Sequence, residues 1–186
     1  MFNLGALTGI RITIAGSVMS QDQTANLKSL LEEALGAVER SIQGLDHQHS
    51  RMIPSRGEWS VCQLLAHIAE IQGFWSGKAV VITETDNPNI TRTEVENDIR
   101  SASVDDQSGE SLDQLIVRVK QENNSAIKVL TSINAQYLDR IGHRGEDNPI
   151  TAGGVFEYLA RHVQEHADQI IRTRQIVNPP GSSSSL

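Results

Sequence analysis

The sequence predicts an all-α fold, a four-helix bundle, on three observations. Four stretches repeat apolar residues at intervals of three and four, the spacing that lines one face of a helix. Two of them follow a Ser with a Gln three positions later, the pattern in which side chain and backbone cap each other at a helix start. No stretch after residue 18 alternates apolar and polar residues as a half-buried strand does.

The first helix is read over residues 24–45, on Leu27, Leu30, Leu31, Ala34, Leu35, Val38, Ile42 and Leu45. A loop with His47, His49, Pro54 and Gly57 follows. Ser60 and Gln63 then form a capping box, with Trp59 and Leu64 spaced as a hydrophobic staple, so the second helix starts at Val61 and runs to about Ile82. Residues 83–110 are polar and broken by Pro88, with room for a short helix around Thr93–Ser101; their length marks a long crossover. Ser111 and Gln114 open the third helix, which carries Leu112, Leu115, Ile116, Val119, Ile127, Leu130 and Ile133. Tyr137 to Ile150 reads as a loop on Gly142, Gly145 and Pro149. Thr151 caps the fourth helix, whose buried side is Val155, Phe156, Leu159, Val163, Ala167, Ile170 and Ile171.

A chain of 186 residues that is 38% apolar and 21% charged fits one soluble domain with its own core. The bundle is expected over residues 19–177. Residues 1–18 form an apolar extension, but no Lys or Arg precedes the apolar run and Arg11 interrupts it, which argues against a signal peptide or a membrane span. The change of character at Met19 makes it a candidate physiological start. Residues 178–186, with Pro179, Pro180, Gly181 and four serines, cannot continue a helix and read as a flexible tail. The net charge of −7 repels phosphate backbones and anionic lipid, so neither nucleic acid nor membrane is an expected partner. Cys62 is the single cysteine, which rules out an intramolecular disulfide and accords with a cytoplasmic location.

Three histidines stand out. With His162 at zero on a wheel of about 100° per residue, His166 falls at about 40° and Leu159 at about 60°, so both imidazoles border the apolar stripe. Gln169 falls beside them at about −20° and Glu165 at about −60°. On the second helix His67 lies about 60° from Leu64 and also borders a packed face. Two imidazoles one turn apart can close on a single cation, and a third from a facing helix completes a site. The same positions suit core histidines hydrogen-bonded to carbonyls, or a chance surface pair; the residues alone leave these readings open.

The run Pro54-Ser55-Arg56-Gly57-Glu58-Trp59-Ser60-Val61, leading into Leu64-Leu65-Ala66-His67-Ile68, resembles the entrance to helix two of the DinB-like superfamily. His162-Val163-Gln164-Glu165-His166-Ala167-Asp168-Gln169-Ile170 is similar to that family's helix-four motif. The resemblance covers roughly residues 24–177. It implies an up-down-down-up bundle, a divalent metal (zinc, nickel, iron or manganese) on His67, His162 and His166, and a homodimer. It also implies chemistry on a small molecule, with a low-molecular-weight thiol as cosubstrate in some members. Residues 1–18, the Gly153-Gly154 pair and the long polar crossover depart from the pattern.

Three neutral imidazoles leave the charge of a divalent ion uncompensated, so a water or thiol on it loses its proton near neutral pH, and each ring must be deprotonated to bind. The residues permit either a hydrolase or a transferase, and it is the family resemblance that implies transfer of a small thiol to an electrophile as the expected activity. The alternatives are metal-dependent hydrolysis and a non-catalytic bundle with a structural metal or none. Glu70 and Glu165 are candidate partners for the imidazoles. Cys62 lies about 140° round the helix from His67 and reads as a small apolar residue. His47, His49 and His143 read as solvated loop residues, and Trp59, Phe74 and Trp75 as packing. No phosphate loop, nucleophile elbow or dinucleotide fingerprint is present.

Overall fold

The computed structural model describes residues 8–179, with side chains from residue 22 onward. Four long helices, α1 (Thr8–Ile42), α3 (Val61–Glu84), α5 (Leu112–Ser132) and α6 (Ala152–Val177), form the bundle. Two shorter ones, α2 (His47–Ser50) and α4 (Glu94–Gln107), lie in the connections, and a hairpin of β1 (Ile141–His143) and β2 (Pro149–Thr151) precedes α6.

The caps form as the sequence predicts. The Ser60 hydroxyl accepts from the Gln63 amide while the Gln63 side chain accepts from the Ser60 amide, and Ser111 with Gln114 repeats the exchange. Thr93 with Glu96 makes a third such box and starts α4. Thr151 accepts from the Gly154 amide at 2.9 Å and starts α6. Each box satisfies two backbone donors that a helix start leaves open.

Around the bundle the order is α1, α6, α3, α5, with α1 also against α5. Arg174 near the end of α6 donates to the Ser41 carbonyl near the end of α1, and Gly153 at the start of α6 lies beside Gln23, midway along α1, so the two helices run parallel. Ile82, near the end of α3, touches Gly142 just ahead of α6, so α3 runs the other way. Gln72 donates to the Val119 carbonyl and Lys120 pairs with Glu39, which sets α5 parallel to α3 and antiparallel to α1. The order is up-down-down-up. Parallel neighbours α3 and α5 need a connection as long as a helix; α4 supplies it, returning along α3 with Lys78 of α3 paired to Glu96 of α4.

The core holds Leu27, Leu31, Leu64, Leu65, Ile68, Leu115, Leu130 and Phe156 with almost no exposure. Truncating one of these to Ala costs about 2–5 kcal/mol.

Several sequence expectations are corrected. α1 begins at Thr8, not near residue 24, and passes Met19 without a break; residues 1–7 and 180–186 lie outside the described residues. His47 and His49 belong to a one-turn helix that Asp46 caps, not to an open loop. Residues 137–150 are not all loop: Ile141 pairs with Thr151, Gly142 with Ile150 and His143 with Pro149. His143 also exchanges backbone hydrogen bonds with the crossover, its amide to Pro88 and its carbonyl from Ile90. Strands of three residues are too short to show alternation. α4 extends to Gln107, beyond the short helix read near Ser101. No described helix is long and apolar enough to cross a membrane.

Candidate metal centre

α3 and α6 run antiparallel, and the first third of α3 lies against the middle of α6. That register brings His67 beside His162 and His166, with ring centroids 6.0 Å and 4.9 Å away. One ring nitrogen of each of the three lies within 4.8 Å of the others. His67 is buried; His162 and His166 are partly exposed and mark the side on which the cluster opens.

The outer nitrogens share one pattern. Nδ1 of His166 contacts Gln169 Oε1 at 3.0 Å, Nδ1 of His162 lies 3.5 Å from Glu165, and Nδ1 of His67 lies 3.8 Å from Glu70. Each of these groups sits three residues after its histidine, on the same helix face, but only Gln169 makes a hydrogen bond, and the buried Nδ1 of His67 has no hydrogen-bond partner. A donating Nδ1–H leaves Nε2 as a bare lone pair. Nε2 of His162 and Nε2 of His166 face each other at 3.3 Å. Two lone pairs at that separation repel unless a proton or a cation stands between them. Nitrogens about 2.0–2.1 Å from one ion at the tetrahedral angle are about 3.3–3.4 Å apart. The donor set thus fits a divalent ion in identity, and the His162–His166 pair fits it in spacing.

Electrostatics keep the rings neutral. Burial lowers the His67 pKa from 6.5 to about 3, and the rings of His166 and His162 and the guanidiniums of Arg100 and Arg92 push the same way. Burial also lowers His162, against the pull of Glu165 and with the help of Arg144 and Arg161. For His166, burial outweighs the hydrogen bond to Gln169. Neutral imidazole is the form that binds metal.

Glu70 is tied to Arg92, which donates at 2.7 Å and 3.3 Å. Arg92 in turn lies 3.6 Å from the centre of the Phe74 ring. Tyr158, one turn before His162, stacks on it at 5.5 Å with the planes 16° apart. Trp59 meets His67 edge-on at 4.9 Å. Cys62 is buried and directed at Ser50, away from the cluster, as its wheel position implies. His47 and His49 are placed at the α1–α3 connection, His47 bonded to Arg51 and His49 to Asp46, and His143 in the hairpin; none joins the cluster. Tyr158 was legible as a residue four before His162, and the i, i+3 acceptors as HxxE, HxxE and HxxQ. Arg92, Arg100 and Arg144 carried no such signal, since the first two reach the site from the α3–α5 crossover and the third from the hairpin.

A helical bundle with three convergent imidazoles on antiparallel helices defines a class of candidate metalloprotein. The family model of the DinB superfamily matches residues 30–170, and the chain belongs to that superfamily. Among solved structures it is similar to YfiT from Bacillus subtilis, described as a probable metal-dependent hydrolase with an unusual four-helix bundle topology. The TM-score is 0.67 at 14% identity, over 83% of this chain and 87% of that one, a likeness of fold. No curated protein sequence matches significantly.

Proposed function

We propose that this chain is a divalent-metal-dependent enzyme in which His67, His162 and His166 are the ligands. The observation that carries the reading is the 3.3 Å approach of the two Nε2 atoms, each with its Nδ1 turned to an acceptor. A divalent ion on three neutral ligands would supply Lewis acidity, lowering the pKa of a bound water to roughly 7 and holding a bound thiol as thiolate. Gln169 and Glu165 orient the rings of His166 and His162, and partial exposure of these two histidines leaves a way in for a small molecule. Glu70 is occupied by Arg92, which leaves it poorly suited to act as a general base.

The reaction proposed is transfer of a low-molecular-weight thiol to a small electrophile, as the sequence motifs imply, in the cytoplasm and as a homodimer. Metal-dependent hydrolysis is the second reading, and the likeness to YfiT favours it. Protein loaded with zinc, nickel, iron or manganese in turn, assayed with thiol plus electrophile and separately with ester and amide substrates, decides between them. Thiol-dependent turnover supports the first, thiol-independent turnover the second. Light scattering at micromolar concentration gives twice 20.4 kDa for the dimer, and 20.4 kDa would exclude it.

A further inference from the structure

Arg144 stands in the turn between β1 and β2, its backbone amide donating to the Asn148 carbonyl at 2.9 Å. Its guanidinium lies 4.0 Å from the centre of the Tyr158 ring and 4.9 Å from that of Trp75. Among the described residues no carboxylate pairs with it, and its side chain makes no hydrogen bond to protein. Its neighbours differ. Arg92 is paired with Glu70, and Arg161 lies 3.8 Å from Glu165.

Stacking on an aromatic face occupies the flat side of a guanidinium and leaves its in-plane N–H groups free. Those donors match a planar pair of oxygens, as in a carboxylate, or two oxygens of a phosphoryl group. Tyr158, on which Arg144 lies, stacks directly on His162, so one aromatic ring separates the free cation from the histidine cluster. The chain as a whole carries −7 and has no general attraction for anions, so recognition of one has to be local.

We infer that Arg144 determines specificity at this site, holding the carboxylate or phosphoryl group of a small anionic substrate while the substrate's reacting end faces His67, His162 and His166. The events at the histidines rest on the function proposed above; anion binding by Arg144 does not.

The experiment titrates acetate, succinate and inorganic phosphate, with acetamide as the neutral control, into metal-free and zinc-loaded full-length protein. Heat and tryptophan fluorescence are the readouts, Trp75 lying against the guanidinium. The expected result is saturable binding of at least one anion to the metal-free protein and none of acetamide. Arg144→Gln should weaken that binding about ten-fold or more, with Arg144→Lys between, while circular dichroism and zinc stoichiometry stay unchanged. The better binder of acetate and phosphate identifies the anionic group. Absence of saturable binding in the unmodified protein, or equal binding by Arg144→Gln, overturns the inference. Arg144-dependent anion binding without zinc binding would leave the inference standing and defeat the metalloenzyme reading. Zinc binding with anion binding indifferent to Arg144 would do the reverse.

Discussion

Glu70 stands between Arg92 and His67, its carboxylate 2.7 Å from the guanidinium and 3.8 Å from the imidazole Nδ1. Both side chains of the ion pair are largely buried, so neither charge is well solvated. In Glu70→Gln the guanidinium keeps a hydrogen-bond acceptor but loses its counter-charge beside His67. Removal of such an outer partner lowers metal affinity about 10–100-fold. Folding stability should fall by about 1–3 kcal/mol. Chelator competition and urea denaturation measure the two; an unchanged affinity would remove Glu70 from the site's design.

The lowered imidazole pKa values fix a pH dependence. Above about 6.5 both folded and unfolded chains hold these rings neutral, and they add nothing. Below 6.5 the unfolded chain takes up protons that the folded chain refuses, down to about 3 for His67. Stability must therefore fall with acid in that window. The thermal midpoint of metal-free protein should be level from about pH 8 to 7 and decline between about 6.5 and 5, where carboxylates do not yet titrate. A midpoint constant or rising over that interval contradicts the burial argument. Proton competition for metal should likewise begin below the ordinary imidazole range, lower than free histidine gives.

Gly142 sits where the hairpin crosses the end of α3. A Cβ there would lie 2.8 Å from Cγ1 of Ile82 and 3.0 Å from the Pro88 carbonyl oxygen. Gly142→Ala should destabilise by about 1–3 kcal/mol, since a backbone oxygen cannot give way as a side chain does. Gly77, on the exposed side of α3, has nothing within 4 Å of the same position, and Gly77→Ala should stabilise by about 0.5–1 kcal/mol. Equal effects by denaturation would discredit the hairpin contact.

What the sequence made legible was what repeats along a helix. Ser60 with Gln63 and Ser111 with Gln114 located helix starts to the residue, because a cap is a local exchange of hydrogen bonds. His162 and His166 were legible as a pair through their spacing, and their joining with His67 through the motifs. The hairpin was hidden because its strands are three residues long and contain Gly142 and Pro149, which argue for a loop. Its place depends on Pro88 and Ile90, some fifty residues away. Arg144 was hidden for the same reason: its contacts with Trp75 and Tyr158 exist only once α3, α6 and the hairpin are assembled. The early start of α1 passed unread because the apolar residues ahead of Met19 do not continue the three-and-four spacing of Leu27 and Leu31.

The central claim is that the three histidines bind an ion for chemistry and not to hold the fold, and metal content together with helicity of His162→Ala tests it most directly. Two remaining imidazoles make a weaker site, so the variant should lose most of its metal. Its helical circular dichroism should persist, because Leu64, Phe156 and their neighbours bury the seams without the ion. In a small structural zinc domain the ion supplies on the order of 10 kcal/mol of folding free energy, and the same change would unfold it. Native protein should carry one divalent ion per chain, and the variant little or none with its helix signal intact. Native protein without a stoichiometric ion, a variant that retains it, or loss of helix together with metal would contradict the account.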